Sequence, residues 1–215
     1  MKALVDYSRN GEIVQLRLNR PERHNALVPE LLASLQDCLR TSKNADPAAL
    51  ILTGNGKSFS TGGDIGGFLD HAQTDASLLE YSDHLVGKLH EIVLELLCLP
   101  FPVIAAVNGP VTGGSLGLVL ASDLVVMAEH AFLQPYYSEV GFGPNGGWTA
   151  LLPERIGAAK TLEIQYLNRR VMAAEAVELG IANFAMPMDQ IGTVVDDWTA
   201  GLTAKKTSSL RATRA

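Results

Sequence analysis

Several things are scarce in this chain, and each shortage removes a class of function. There are only two cysteines in 215 residues, Cys38 and Cys98, both in apolar, helix-like runs. They read as two buried, reduced thiols, which argues against a disulfide framework or a cysteine-based metal site. Basic residues are in the minority, 17 Lys and Arg against 23 Asp and Glu, for a formal charge of -6. With no basic stripe to neutralise phosphates, no nucleic-acid partner is expected. The one basic cluster, Lys205, Lys206, Arg211 and Arg214, sits at the C-terminal end and reads as a solvated helix face. Long apolar runs are missing too. The most apolar stretch, residues 113–128, is interrupted by Asp123, and MKALVDYSRN at the start has no apolar core of signal type. Neither a membrane span nor a targeting segment is expected, and the expected location is cytoplasmic.

What is present is an ordinary globular composition, 47% hydrophobic and 19% charged. A chain of this length should bury roughly 70% of its unfolded surface, enough for a core without staples. Val5-Asp6-Tyr7 and residues 13–18 (IVQLRL) alternate apolar and polar positions around Asn10-Gly11, the signature of a hairpin. A helix is predicted from Pro29, with Leu31, Leu32, Leu35 and Leu39 at helical spacing. Further strands are predicted over 49–53, 103–107 and 124–128. Helices are predicted over 78–99, 113–121, 146–156, 158–168 and 173–179, and glycine-dense loops over 54–67 and 108–112. Alternating strands and helices define an α/β fold.

Three glycine-bearing segments suggest chemistry. Thr53-Gly54-Asn55-Gly56-Lys57-Ser58 ends like a phosphate-binding loop, but the position that should hold the first glycine is Ile51, inside a predicted strand. Gly113-Gly114-Ser115-Leu116-Gly117 matches the G-x-S-x-G nucleophile elbow and keeps a serine hydrolase acting through Ser115 as an alternative. The third reading joins two loops, residues 60–65 and 108–114. Each follows a buried strand, and glycine in each lets backbone amides approach a ligand. Two converging N–H donors would make an oxyanion hole, although two tight, closely packed turns explain the same glycines.

In order along the chain, Asn19-Arg20-Pro21 with Asn25-Ala26-Leu27, then Phe59 to Ile65, resemble the N-R-P-x-x-x-N-A-L and F-S-x-G-x-D-I segments of the crotonase superfamily, the enoyl-CoA hydratase/isomerase fold. Ala105 to Gly109 with Gly113-Gly114 and Asp123, Pro144 to Trp148, and Ala173 to Ala182 are similar to its remaining blocks. The resemblance implies a ClpP-like spiral of ββα units, an acyl-CoA partner, and a homotrimer or hexamer. It implies a core over residues 1–187 and a short helical C-terminal segment over 188–215, where the family normally continues further. By position it makes the amides of Gly63 and Gly114 the oxyanion donors. Arg23, His24, Ala26, Ser60, Gly62, Asp64 and Ile65 become CoA contacts, and Gly117 part of the acyl site. Asp64 is open to a second reading, as a cap on the following turn, and Asp123 reads as structural. No metal or redox cofactor is implied, CoA entering only as part of the substrate.

The sequence departs from that pattern where acid/base chemistry would sit. The two glutamates of the family's hydratases fall on Gly117 and Tyr137, and the aspartate that some members carry in the P-D-G-G turn falls on Asn145. Tyr137 and Asn145 are therefore the candidate replacements, with Asp70, His71, Asp75, Glu80, Tyr81 and His84 as further acid/base candidates. Glu139 should point outward, and Tyr136 and Tyr137 read equally well as core aromatics. Gly66, Gly67 and Gly117 suggest room for a bulky acyl group. A protein that binds CoA thioesters without turnover stays open beside the enzyme reading.

Overall fold

The computed structural model describes residues 3–214. Strands β1 (Val5–Asn10) and β2 (Ile13–Leu18) form the predicted hairpin, antiparallel, with Gly11 at a φ of 58° in the turn. Helix α1 (Pro29–Ala45) leads to β3 (Ala49–Gly54), α2 (Ile65–His71), α3 (Asp75–Leu97) and β4 (Val103–Val107). After a short β5 (Val111–Thr112) and a single 3-10 turn at Gly113–Ser115 come α4 (Leu116–Leu120), β6 (Leu124–Ala128), β7 (Phe132–Gln134) and α5 (Tyr137–Val140). The remainder is α6 (Leu151–Ile156), α7 (Ala158–Tyr166), β8 (Val171–Met172), α8 (Ala173–Glu178), β9 (Phe184–Met186), α9 (Ile191–Thr203) and α10 (Thr207–Arg214).

The main sheet runs β1-β2-β3-β4-β6-β9, parallel from β2 onward. A second sheet, β5-β7-β8, stands beside it. Strands β3 and β4 are buried at every residue, as parallel strands covered on both faces must be, which explains their unbroken apolar sequence. Strand β2, nearer the edge, keeps the alternating pattern. One cover is α1, whose four predicted leucines are all fully buried, each contributing about 1.5–3 kcal/mol. It packs on α3, which turns Leu85, Leu89, Ile92, Val93 and Leu96 inward.

The differences from expectation have local causes. Residues 65–67 belong to α2 rather than to a loop, because the Asp64 carboxylate accepts from the Gly66 amide at 2.9 Å and caps the helix despite two glycines. The Thr74 hydroxyl likewise starts α3 earlier than predicted. Helix α6 starts later, at Leu151, because Gly146 and Gly147 lie at positive φ before it. Strands β5, β7, β8 and β9 have only two or three residues each and carry no readable period.

Two surface readings change. Cys98 is exposed and Cys38 half-buried, so the thiols are free but not both in the core. The basic C-terminal cluster is not simply solvated. Arg211 forms a two-pronged hydrogen bond with Asp46, both at 2.6 Å. Arg214, its side chain 8% exposed, donates to Asp123 at 2.7 Å and to the carbonyls of Leu96 and Leu99 at the end of α3. Leu96 lies in the last turn of α3, where the usual helical donor is missing, and the guanidinium adds to the Leu99 amide that already reaches its carbonyl. Asp123 also accepts from the Val103 amide at 2.7 Å, in keeping with its structural reading.

Candidate active site

The loops that follow β3 and β4 leave the carboxyl ends of two central parallel strands and are stitched to one another. The Ser60 amide donates to the Pro110 carbonyl and the Thr112 amide to the Ser60 carbonyl. Asn108 ties the same loops together by accepting from the Gly54 amide and donating to the Gly56 and Ser58 carbonyls. Asn25, fully buried at a φ of 54°, donates to the carbonyls of Asn55 and Ser58 and accepts from the Arg20 amide. The asparagines of these motifs are therefore loop organisers.

This stitching fixes the direction of two amides. Gly62 accepts from the Leu27 amide at 2.7 Å, and the Asp64 amide donates to the Leu27 carbonyl at 3.0 Å. In such a bridge successive peptides alternate in direction, so the Gly63 N–H points away from Leu27. Among the described residues it donates to no acceptor. Gly114 lies in the first turn before α4, where no preceding helical carbonyl exists, and its amide is unpartnered in the same sense. Gly62 is required for the approach: its φ is 75°, and a Cβ there would come within 2.7 Å of the Thr112 carbonyl oxygen.

Gly63 and Gly114 line one cavity of about 600 Å³. Its apolar wall includes Leu27, Phe68, Leu85, Val86, Leu89 and Phe142. Tyr137 and Asn145 supply polar groups there, and the Tyr137 hydroxyl donates toward both the side-chain Oδ1 of Asn145 at 3.0 Å and its backbone carbonyl at 3.1 Å. Burial pushes the Tyr137 phenol well above its ordinary pKa, the hydrogen bond to Asn145 opposing only in part, so it stays protonated. Two carboxylates line this cavity, Glu22 and Asp64. Glu22 is exposed. Burial alone would raise the pKa of Asp64, but hydrogen bonds from Arg23 and Arg20 outweigh it and hold the group at about 2. The distances are 3.0 Å to Arg23 and 2.6 Å to Arg20.

Of the predicted site residues, Arg23, His24, Ala26, Gly63, Asp64, Ile65, Gly114, Tyr137 and Asn145 meet at this cavity. Ser60 and Gly62 do not line it. The buried Ser60 hydroxyl donates to the Asn25 carbonyl at 2.7 Å, holding the loop from behind. Gly117 does not line it either. A Cβ at Gly117 would stand 2.6 Å from the Gly146 carbonyl oxygen and 2.9 Å from Val93, so the position is closed rather than roomy. Gly67 is likewise filled, by the Tyr81 ring; Gly66 does line the cavity, but a Cβ there would stand 3.1 Å from Arg23 and Asp64. Ser115 is 0% exposed and shares its proton between the Thr112 and Ser60 carbonyls, at 2.8 and 2.9 Å. It is a loop tie with no path to a substrate, which removes the nucleophile reading.

None of the further acid/base candidates reaches this cavity. Asp70, His71 and Tyr81 line a separate hollow of about 450 Å³ with Arg20 and Arg23, where His71 stacks on Tyr81 at 4.3 Å. Asp75, Glu80 and His84 line neither, and Glu139 is exposed as expected. Tyr137 is a core aromatic as well as a wall residue, its ring edge-on to the buried Trp148. The sequence reading missed Arg20 as the stronger partner of Asp64, and missed Phe68 and Leu89 as cavity wall. The apolar face of α3 was visible, but nothing in its period separates core from cavity. Among the described residues, no three His, Cys, Asp or Glu side chains are grouped to hold a metal ion, and no helix is long and apolar enough to cross a membrane.

Fold and cavity together define an α/β protein that presents unpartnered loop amides to an apolar pocket at the carboxyl ends of parallel strands. Residues 8–215 match the sequence profile of the enoyl-CoA hydratase/isomerase family, and the chain belongs to that family, within the crotonase superfamily. It is 35% identical over 198 residues to the "Probable enoyl-CoA hydratase EchA12" of Mycobacterium tuberculosis, covering 87% of this chain and 67% of that protein. The crystal structure of the enoyl-CoA hydratase from Bacillus anthracis superposes with a TM-score of 0.90 at 29% identity, covering 98% of this chain and 81% of that one. That of an enoyl-CoA hydratase from Polaromonas gives 0.90 at 27%, with the same coverages. The crotonase-type α/β fold read from the motifs is therefore the fold of this chain.

Proposed function

We propose that this chain binds an acyl-CoA thioester with its acyl group in the apolar cavity and its carbonyl oxygen between the amides of Gly63 and Gly114. The observation that carries this reading is the pair of unpartnered amides on one apolar cavity. As a proton leaves the carbon next to the carbonyl, negative charge collects on the oxygen. Fixed donors in a desolvated site stabilise that charge at the moment it forms, and one such donor is typically worth about 3–4 kcal/mol. Arg23, His24, Ala26, Asp64 and Ile65 line the same cavity, and in this reading they meet the CoA portion. CoA is needed only as part of the substrate. Double-bond isomerisation, or hydration with an unusual acid/base set, are the reactions such an enolate serves. Association into a homotrimer or hexamer belongs to the same proposal and is measured by light scattering on the eluting protein.

A second reading, thioester binding without turnover, is favoured by one specific feature. Asp64 is locked in two ion pairs and Glu22 is exposed, so the wall offers no unpaired, buried carboxylate to accept a proton. The test is an NMR time course of mixed 2-enoyl- and 3-enoyl-CoA in heavy water. Water addition, bond migration or deuterium at the α carbon supports the enzyme. Binding with unchanged spectra supports the second reading, and absence of binding rejects both.

A further inference from the structure

The Tyr137–Asn145 pair bears on which acyl group the cavity takes, and the inference rests on the thioester reading above. Asn145 is half-buried on the cavity wall. Its Oδ1 would lie 2.5 Å from a Cβ at Gly114, so the carboxamide sits directly against the residue whose amide faces the thioester. The same Oδ1 is 3.0 Å from the Tyr137 hydroxyl. A carboxamide has one acceptor oxygen and two N–H donors. In this orientation the oxygen is within hydrogen-bond reach of the phenol and packs against Gly114. Nδ2 has no hydrogen-bond partner among the described residues. In the free protein this donor is open to water, but an apolar acyl chain lying against the mostly apolar wall would cover it without replacing that bond, which is costly.

We infer that Asn145 is a specificity-determining donor, oriented by Tyr137 as a positioning residue, and that the preferred acyl group carries a carbonyl oxygen one carbon beyond the α position, as in a 3-oxoacyl thioester. The thioester oxygen meets the loop amides, and the second oxygen meets Asn145. An amide cannot shuttle protons at neutral pH, so its contribution is recognition. A plain hydrocarbon chain leaves the donor unmade. A 3-hydroxy group accepts less well, and its proton then needs an acceptor of its own.

The experiment is titration calorimetry of the full chain with butyryl-CoA, 3-hydroxybutyryl-CoA and acetoacetyl-CoA. Acetoacetyl-CoA is expected to bind about five- to tenfold more tightly than butyryl-CoA, the yield of one well-made hydrogen bond. That ratio is expected to fall toward one in Asn145→Ala and in Tyr137→Phe. A loss of packing alone would weaken all three ligands together and leave the ratio in place. Tyr137→Phe removes a single hydroxyl and serves if the alanine variant does not fold. Equal affinities in the wild type, a preference for the 3-hydroxy over the 3-oxo ligand (the outcome of the reverse carboxamide orientation), or a ratio unchanged in both variants overturns the inference while leaving thioester binding intact. If none of the three thioesters binds, the thioester reading falls with it.

Discussion

Replacing Asp64 by asparagine tests the ion cluster on the cavity wall. The carboxylate is 4% exposed and receives Arg20, Arg23 and the Gly66 amide. Its pKa falls from an ordinary 3.8 to about 2. At about 1.36 kcal/mol per pKa unit this corresponds to about 2.4 kcal/mol of folding stability. Arg23 is 54% exposed and its share is screened by solvent, so about 2 kcal/mol is the working figure. The folded pKa lies below the unfolded one. The contribution is therefore complete above about pH 5 and drains away as the pH falls through 3.8 toward 2. More than half of it should be gone by about pH 2.5.

The assay is urea unfolding of wild type and Asp64→Asn at fixed protein concentration, from pH 6 down to about pH 2.5, followed by the fluorescence of the two tryptophans, Trp148 and Trp198. At neutral pH the variant should be less stable by about 2 kcal/mol or more, since Arg20 also loses its partner. Other carboxylates titrate in both proteins and cancel in the difference. What matters is that the difference shrinks with falling pH. A gap that stays constant from pH 6 to about pH 2.5 would refute the assignment of a depressed pKa to Asp64, whatever its size at neutrality.

Two further outcomes follow from packing. Gly117→Leu should cost about 1–3 kcal/mol or more by overpacking, because even the Cβ meets the Gly146 carbonyl at 2.6 Å; unchanged thermal unfolding would show that the 145–147 turn yields freely. Ser115→Ala should lower stability by about 1–2 kcal/mol through the lost loop tie, and wild type should not react with an active-site serine probe. Labelling at Ser115 would restore the hydrolase reading.

The framework of the fold was legible because its signals are local. Unbroken apolar runs gave β3, β4 and β6, the Asn10-Gly11 turn gave the hairpin, and the leucine spacing gave α1. The site was legible only as far as glycine goes. A glycine says that something comes close, but not what. At Gly62 it is the Thr112 carbonyl, at Gly117 the Gly146 carbonyl, at Gly67 the Tyr81 ring. Reading Gly67 and Gly117 as room for a ligand mistook protein for ligand. The partners of Arg214 and Asp64 were out of reach for another reason. Arg214 meets Asp123 across 91 residues and Arg20 meets Asp64 across 44, and no period in the sequence records such pairings.

The two positions where the resemblance led us to look for glutamates, Gly117 and Tyr137, behave as one structural change. Without a side chain at Gly117, the Gly146 carbonyl moves into the space a Cβ would occupy. Gly146 itself, at a φ of 58°, lies so close to Gly114 that a Cβ there would collide with its backbone. The 145–147 turn is thereby seated on α4, and seating it brings Asn145 against Gly114. Tyr137 completes the arrangement from the other side, its one hydroxyl proton shared between the two oxygens of Asn145. A glutamate at 117 has no space while the turn is closed, and one at 137 would bring a carboxylate against the two oxygens that now share the phenol's proton. Restoring either glutamate alone would therefore disturb the turn before it could supply a base. The Gly63 amide is held by a different set of bonds, through Leu27, but the peptide that carries the Gly114 N–H is tied to this turn, because Trp148 Nε1 donates to the Gly113 carbonyl at 2.7 Å. On the reading proposed above, the donor at Gly114 and the wall beside it are therefore coupled, and a variant that moves the 145–147 turn should disturb both.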